Sequence, residues 1–304
     1  MKRTARPALQ LYSIRDYIAA NGLPRALEEV AGLGYEGVEF AGYWGFSAPE
    51  LARMLADAGL VACGTHVDRS AFSPERVAET CGFERAYGNS LVVCPGGGNM
   101  PPGVDWGHPD APPSAEIDDF VKRLCDDYNR AAADCARHGC RVGLHNHAWE
   151  FAVRMTDGTT FWDYFLRNTD PAVAMEQDVG WTVAAGVDPA AQYRAYPHRS
   201  LTLHAKENGR DDDPSFDAIL GRPGASRGVD WGAVLAAAAA DGVEWLVVEC
   251  EKRCDGLVAA AGSLEFLRGV APSPRGASTC RGTNAAPSGT VATRGGRSRR
   301  DAPR

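Results

Sequence analysis

Residues 143–151, GLHNHAWEF, begin like a buried strand and end in polar side chains. Val142 and Leu144 are aliphatic and fit the interior of a sheet, whereas two histidines, an asparagine and Glu150 follow them closely. Polar groups in this position are typical of the carboxyl end of a strand in a parallel barrel, where active sites lie. We therefore interpret the stretch as a barrel strand whose end opens onto a ligand site.

Seven further stretches resemble strands, and helical patterns separate them. Strands that alternate with helices predict parallel βαβ units, and eight such strands close a (β/α)8 TIM barrel of the α/β class. The predicted strands are Ala8–Ser13, Gly37–Phe40, Val61–His66, Ser90–Cys94, Arg141–His147, Ala172–Asp178, Ser200–Ala205 and Glu244–Glu249. The predicted helices include Leu23–Leu33, Pro49–Ala58, Ser114–His138 and Val229–Ala240.

An open, doubly wound sheet is the competing fold. Its nucleotide-binding form carries a GxGxxG turn after the first strand, and this chain has no such turn there. The glycine run Gly96–Gly98 follows the fourth strand instead, and Pro101 and Pro102 come soon after it. Proline there argues against a helix N-terminus that binds phosphate, so we expect a loop over the mouth of the barrel.

The composition limits the classes of partner. The 304 residues are 44% hydrophobic and carry a formal net charge of −7, which supports a sizeable core and disfavours nucleic acid as a partner. No apolar run is long enough for a membrane span, and the first residues lack the apolar region of a signal peptide. None of the nine cysteines forms a CxxC pair. We expect a cytoplasmic protein with reduced cysteines that has no membrane partner.

Residues 271–304 differ in character from residues 1–270. They are rich in Pro, Gly, Ser, Thr and Arg, they show no apolar periodicity, and Asp301 is their only acid. Such a segment cannot bury enough apolar surface to offset its ordering entropy. The sequence therefore predicts one barrel domain over 1–270 and a disordered, low-complexity basic tail over 271–304, with an anion-binding arm as the functional alternative.

Acidic and histidine side chains recur at the ends of strands five to eight. They are Glu150, Asp178, His204 and Glu249. Three carboxylates at one barrel mouth repel one another and lose hydration unless a cation or a proton neutralises them. Oxygen ligands with one imidazole suit Mn²⁺, Mg²⁺ or Co²⁺. We predict a divalent metal site here, and a solvated polar rim is the alternative.

The same segments resemble the xylose isomerase-like TIM barrels of the sugar phosphate isomerase/epimerase superfamily, which includes ketose 3-epimerases and inosose dehydratases. The resemblance runs from about Leu9 to about Leu267. It is most specific in HNHAWEF (145–151), DVGWTVAAGVDP (178–189), LHAKENGR (203–210) and VVECE (247–251). It implies that Glu150, Asp178, His204 and Glu249 are the metal ligands, and that Glu150 and Glu249 are also the catalytic acid/base pair.

This resemblance implies an isomerase or epimerase of a sugar, keto-sugar or sugar phosphate in carbohydrate metabolism. The enzyme would remove a proton next to a carbonyl and pass through a metal-stabilised enediolate. It implies that Arg210 binds the substrate. Trp181 stands where the ketose 3-epimerases have a histidine and resembles the inosose dehydratase-like branch. A lyase of that type is therefore the alternative, because loss of a β-hydroxyl from the same intermediate gives dehydration.

Further residues are candidate substrate contacts. We predict that His66, His147, Trp181 and Lys206 bind substrate, although Lys206 fits equally well a salt bridge with a neighbouring acid. His145 and His147 are each read as a substrate contact, a support for a ligand or a hydrogen-bonded structural histidine. Glu39 would either support the ligand residues of the site or anchor a loop. Tyr12, Phe40 and Trp44 would stack on a sugar or plug the barrel.

Two other functions use this type of barrel. An endonuclease for abasic sites would need more metal ligands and a basic surface, and the net acidity argues against it. The presence of all four ligand residues argues against a sugar-binding barrel that has lost catalysis. We expect a small-molecule sugar or polyol as substrate. The resemblance also implies a homodimer or homotetramer.

Overall fold

The computed structural model describes residues 5–106, 111–207, 219–221, 228–251 and 255–270. Eight parallel strands close in sequence order into one barrel, which confirms the predicted (β/α)8 fold. The strands are β1 (Arg6–Gln10), β2 (Gly37–Ala41), β3 (Val61–His66), β4 (Leu91–Pro95), β5 (Arg141–His145), β6 (Ala174–Asp178), β7 (Thr202–Ala205) and β8 (Trp245–Val248). The predicted tail over 271–304 lies outside the described residues.

Helices follow the strands around the outside of the barrel. They are α1 (Arg15–Asn21), α2 (Leu23–Leu33), α3 (Ala48–Ala58), α4 (Val77–Ala86), α5 (Ala115–Arg137), α6 (Trp149–Ala152), α7 (Phe161–Asn168), α8 (Val179–Ala184), α9 (Pro189–Ala195), α10 (Trp231–Asp241) and α11 (Gly256–Val270). Short 3-10 turns occupy Leu11–Ile14, Arg69–Phe72 and Gly96–Asn99. The last of these covers the glycine run that was predicted to be a loop.

Local sequence signals account for the ends of these helices. Ser47 and Glu50 form a reciprocal capping box at the start of α3, and Gly59 ends that helix with a φ of 69°. The Ser114 hydroxyl accepts a hydrogen bond from the Ile117 N–H at the start of α5. The predicted bounds of both helices are within one residue of those observed, because capping residues mark helix ends in the sequence itself.

The core has two parts, one on each face of the strands. Side chains such as Leu9, Val142 and Leu203 pack with the helices in the main apolar cluster. The alternate residues form small apolar clusters, one around Ala8 and Trp245. On the same face of the strands, but two positions closer to the carboxyl ends, the side chains are polar. They are Gln10, Glu39, Glu176, His204 and Glu249. The barrel interior therefore changes from apolar to polar towards the carboxyl ends of its strands.

Strand β5 ends two residues earlier than predicted. The last residue of its ladder is His145, which pairs with Pro95 of β4 and Glu176 of β6. The His147 N–H donates to Glu150 Oε2 at 2.7 Å and not to a neighbouring strand. His147 therefore lies in the turn after β5.

None of the helices in the described part of the chain combines the length and the apolar character that a membrane span requires.

Candidate metal centre

Four side chains from the ends of β5 to β8 converge at the mouth of the barrel. One ligand atom from each lies within 4.8 Å of the others, and all four residues are buried. We call them the mouth group: His145, Asp178, His204 and Glu249. Three of the four predicted ligands are thus brought together, and His145 stands where Glu150 was expected.

Asn146 holds the ends of β5 and β6 together at this point. Its side-chain oxygen accepts the Asp178 N–H at 3.0 Å, and its amide lies 3.3 Å from Thr182 Oγ1. Asp178 then uses Oδ1 to cap α8 through the Trp181 N–H, at 2.7 Å. These hydrogen bonds therefore fix the backbone next to two candidate ligands, His145 and Asp178.

A second set of candidate ligands lies deeper in the barrel. We call it the interior group: His66, His145, Glu176 and His204. Glu176 Oε2 is 2.7 Å from His66 Nε2 and 3.2 Å from His204 Nε2. Glu176 was not predicted from the sequence, although its spacing of two from Asp178 places both side chains on one face of β6.

The two groups share His145 and His204, and the ring of His204 links them. Nδ1 lies 3.0 Å from Glu249 Oε2, in the mouth group, while Nε2 lies 2.6 Å from Glu39 Oε2. A neutral imidazole offers one N–H and one lone pair, so it serves only one of the two sides as a metal ligand. With Nε2–H donated to Glu39, the lone pair on Nδ1 points into the mouth group. Glu39 therefore orients His204, and the mouth group fits a metal better than the interior group does.

Charge controls the protonation of the shared histidines in opposite ways. Burial lowers the pKa of His204, but the carboxylates of Glu176 and Glu39 outweigh it and raise that pKa well above its usual value. Burial and the neighbouring His204 lower the pKa of His145 to about 3. His145 is thus a neutral imidazole, while His204 has to lose a proton before it can bind a metal ion.

Lys206 supplies the positive charge at the back of the mouth group. Its Nζ lies 2.9 Å from Glu249 Oε2, 3.1 Å from Asp178 Oδ2 and 2.6 Å from Glu251 Oε1. The side chain is completely buried, and its stem passes over Gly180, where a Cβ would lie 2.8 Å from Lys206 Cγ. The ammonium is thus engaged by three carboxylates, which matches the salt-bridge interpretation of Lys206.

Lys206 also lowers the pKa values of two acids that it contacts, Asp178 and Glu249. Burial raises the pKa of Asp178 to about 6, and Lys206 acts against that rise. For Glu249 burial acts in the same direction, but Lys206 and His204 together hold its pKa well below the usual value. Glu249 is therefore a carboxylate at neutral pH.

Glu150 belongs to neither group. It lies in the single turn α6 and is completely buried, with Oε2 bonded to the His147 backbone and Oε1 3.8 Å from His147 Nδ1. Burial raises its pKa. The Glu150 carboxylate is therefore held against His147, and Glu150 is not a member of the group that contains Glu249.

A cavity of about 800 Å³ opens above the mouth group. Of the predicted substrate contacts, His66, His147 and Trp181 line it, as does Glu249, whereas the described lining does not include Lys206. Arg210 lies outside the described residues. Tyr12 also lines the cavity.

Aromatic rings surround His147 on the wall of this cavity. The ring centroid of Trp106 is 4.7 Å from that of His147, and the centroid of Trp181 is 5.3 Å from it. Trp181 Nε1 donates to Glu251 Oε1 at 3.1 Å, which fixes the indole. Trp106 was not predicted from the sequence, because it lies in a loop without periodicity, and no role was predicted for Glu251. The cavity thus combines flat apolar rings with carboxylates and imidazoles, as sites for small molecules do.

Comparisons with known proteins agree with this architecture. The chain resembles a sugar phosphate isomerase/epimerase from Parabacteroides distasonis, with 23% identity, a TM-score of 0.70, and coverage of 88% of this chain and 94% of that one. It also resembles a D-allulose 3-epimerase from Methylomonas sp. in complex with D-allulose (17% identity, TM-score 0.64, coverage 88% and 98%). A third similar structure is a xylose isomerase-like TIM barrel protein from Mycobacterium smegmatis in complex with magnesium (18% identity, TM-score 0.61, coverage 88% and 96%).

No curated protein matches the chain. The sequence model of one family does match it, over residues 27–270, and that family is described as the xylose isomerase-like TIM barrel. This range contains seven of the eight strands and the whole mouth group. The chain therefore belongs to the xylose isomerase-like TIM barrel family.

Proposed function

We propose that the protein is a divalent metal-dependent isomerase or epimerase of a small sugar, keto-sugar or sugar phosphate. The observation that carries the proposal is the convergence of the mouth group beneath a cavity lined by Trp106, Trp181 and His147. The similarity to a sugar phosphate isomerase/epimerase and to a D-allulose 3-epimerase supports this reaction class.

Asp178, His204 and Glu249 would hold the metal ion, with His145 as the fourth ligand. Two carboxylates and two imidazoles suit Mn²⁺ or Co²⁺ better than Mg²⁺, which prefers oxygen ligands. Glu150 was predicted as a ligand from the family pattern, but it is not a member of the mouth group and is left outside this proposed set. When bound, the ion would stabilise the negative charge that develops on substrate oxygens after proton removal.

The chain's own residues would carry out the proton transfer and hold the substrate. Glu249 lines the cavity, and its depressed pKa keeps it as a carboxylate that can accept the proton next to the carbonyl. The predicted partner acid Glu150 has Oε1 3.8 Å from Nδ1 of His147, which lines the cavity. Trp106 and Trp181 would bind the apolar faces of the sugar and exclude water.

Solvent-deuterium exchange tests the proposal directly. The purified protein with Mn²⁺ is incubated in D2O with D-allulose and a panel of other ketoses, and NMR follows deuterium at the carbon next to the carbonyl. We expect exchange with at least one ketose, and its loss in Glu249→Gln but not in the control Glu28→Gln, whose side chain is exposed. Exchange that persists at the wild-type rate in Glu249→Gln would remove the proposed role of this carboxylate.

A lyase of the inosose dehydratase type is the second candidate. Trp181 favours it, because this residue lines the cavity at the position where the ketose 3-epimerases place a histidine. Incubation with an inosose and Mn²⁺ would then release water and give an α-diketone, whose enol form absorbs in the ultraviolet. An absorbing product without deuterium exchange into any ketose would decide in favour of the lyase.

A further inference from the structure

Three buried polar atoms that have no hydrogen-bond partner among the described residues surround Gly96. They are His147 Nδ1, Trp149 Nε1 and Glu150 Oε1. A Cβ built on Gly96 would lie 2.7 Å from the first two atoms and 3.2 Å from the third. All three residues are at least nine-tenths buried. Because unpaired polar atoms are costly inside a protein, three that face one place indicate a missing partner.

The chain builds this place from two neighbouring strand ends. Gly96 comes directly after β4, and the segment 147–150 comes directly after β5, which pairs with β4 through Pro95 and His145. The bond from the His147 N–H to Glu150 Oε2 closes the second segment and leaves Oε1 unpaired. Any side chain at position 96 would fill the space where the three atoms meet. The glycine therefore keeps this place open.

The three atoms select one type of partner. The indole N–H of Trp149 only donates, the carboxylate oxygen of Glu150 only accepts, and neutral His147 Nδ1 does either according to its tautomer. A carbonyl oxygen would leave Glu150 unpaired, and an ammonium would leave Trp149 unpaired. A hydroxyl oxygen satisfies both. His147 Nδ1 and Glu150 Oε1 are 3.8 Å apart, too far for a direct hydrogen bond but close enough for one oxygen to bond with each.

We propose that His147, Trp149 and Glu150 form a subsite for a single hydroxyl oxygen beside Gly96. The oxygen belongs either to an ordered water or to one hydroxyl group of a polyhydroxylated ligand in the cavity that His147 lines. The second source rests on the proposed function, whereas the first does not. The subsite is separate from the mouth group, since none of its three residues belongs to that group.

Two crystal structures test the proposal and distinguish the two sources. One is determined without sugar, and the other after soaking with Mn²⁺ and D-allulose. We expect density for one oxygen within hydrogen-bond distance of Trp149 Nε1 and Glu150 Oε1. Density in both crystals that stays separate from the sugar identifies a water, and density that is continuous with the sugar identifies a substrate hydroxyl. If neither crystal has an oxygen at this place, the subsite does not exist.

Binding measurements give an independent test. Gly96→Ala fills the space and Trp149→Phe removes the donor, so each should weaken D-allulose binding about tenfold if a sugar hydroxyl occupies the subsite. Gly82→Ala is the matched control, because nothing lies within 4 Å of a Cβ at that position. Unchanged affinity in both variants would exclude the sugar hydroxyl. If the wild-type protein does not bind D-allulose, the proposed function loses support for this sugar, and the sugar-free crystal still decides on the water.

Discussion

Glu39 Oε2 lies 2.6 Å from His204 Nε2, across the imidazole ring from the mouth group. Gln10 Nε2 donates to the same carboxylate oxygen at 2.8 Å and fixes its position. Glu39 and its own partner Gln10 come from the first two strands, far from the other candidate ligands in sequence. The orientation of His204, a candidate metal ligand on β7, therefore depends on residues of β1 and β2.

Glu39→Gln should weaken Mn²⁺ binding. The neutral amide would no longer strengthen His204 as a ligand, and loss of a supporting carboxylate typically costs about 10- to 100-fold in metal affinity. Titration calorimetry with Mn²⁺ measures the change. Glu36→Gln is the control, because Glu36 is half-exposed and pairs with Arg6 at the surface. An unchanged dissociation constant in Glu39→Gln would show that His204 needs no support from Glu39.

His145→Asn and Glu150→Gln should affect metal binding differently. His145 contributes a neutral ring nitrogen to the mouth group, whereas Glu150 contributes no atom to it. We expect His145→Asn to lower the bound Mn²⁺ measured by electron paramagnetic resonance at least about tenfold. Glu150→Gln should retain a full equivalent. Loss of the metal in Glu150→Gln alone would restore the ligand set that the sequence predicted.

Lys206→Met should destabilise the metal-free protein. The change leaves Asp178 and Glu249 buried without their shared cation, and breaking a buried ion pair in this way costs about 3–5 kcal/mol. Urea unfolding in the presence of a chelator gives the free energy of unfolding. Added Mn²⁺ should recover part of the loss, because it supplies positive charge to the same carboxylates. Equal stability of wild type and variant without metal would contradict this account.

The stability that His204 contributes should fall as the pH rises. Its folded-state pKa is raised well above the ordinary value of 6.5 by Glu176 and Glu39, against the effect of burial. The contribution is therefore complete below about pH 6.5 and is lost as the pH rises through the raised pKa. Unfolding free energies of metal-free wild type and His204→Asn should converge between pH 6.5 and high pH. A difference that stays constant or grows would reverse the sign.

Glu84→Gln should destabilise the fold without changing metal affinity. Glu84 is completely buried on α4 and accepts hydrogen bonds from Tyr43 at 2.5 Å, Asn89 at 2.7 Å and Thr65 at 3.0 Å, as well as from Tyr87. An amide places a donor against these donors, at a cost of about 1–3 kcal/mol. Thermal unfolding measures the effect. Glu79→Gln, exposed on the same helix, should be neutral.

The fold followed from alternation and helix caps, which are local properties of the chain. Val61–His66 was predicted with the bounds that β3 shows. Asp178, His204 and Glu249 followed from the rule that strand ends meet at one mouth. The presence of His145 in the mouth group, which does not include Glu150, could not be predicted in this way. It depends on where β5 stops, and that is decided by the hydrogen bond from His147 to Glu150 and by the contacts of Asn146 with Asp178.

Lys206 bears on whether the barrel can fold before a metal ion binds. Because the chain carries its own counter-charge between Asp178 and Glu249, the acidic end of the barrel can close before any ion arrives. Under the proposed function, folding and loading with metal would then be separate steps. A shortage of metal would leave a folded protein ready for loading later, and would not leave a misfolded chain for degradation.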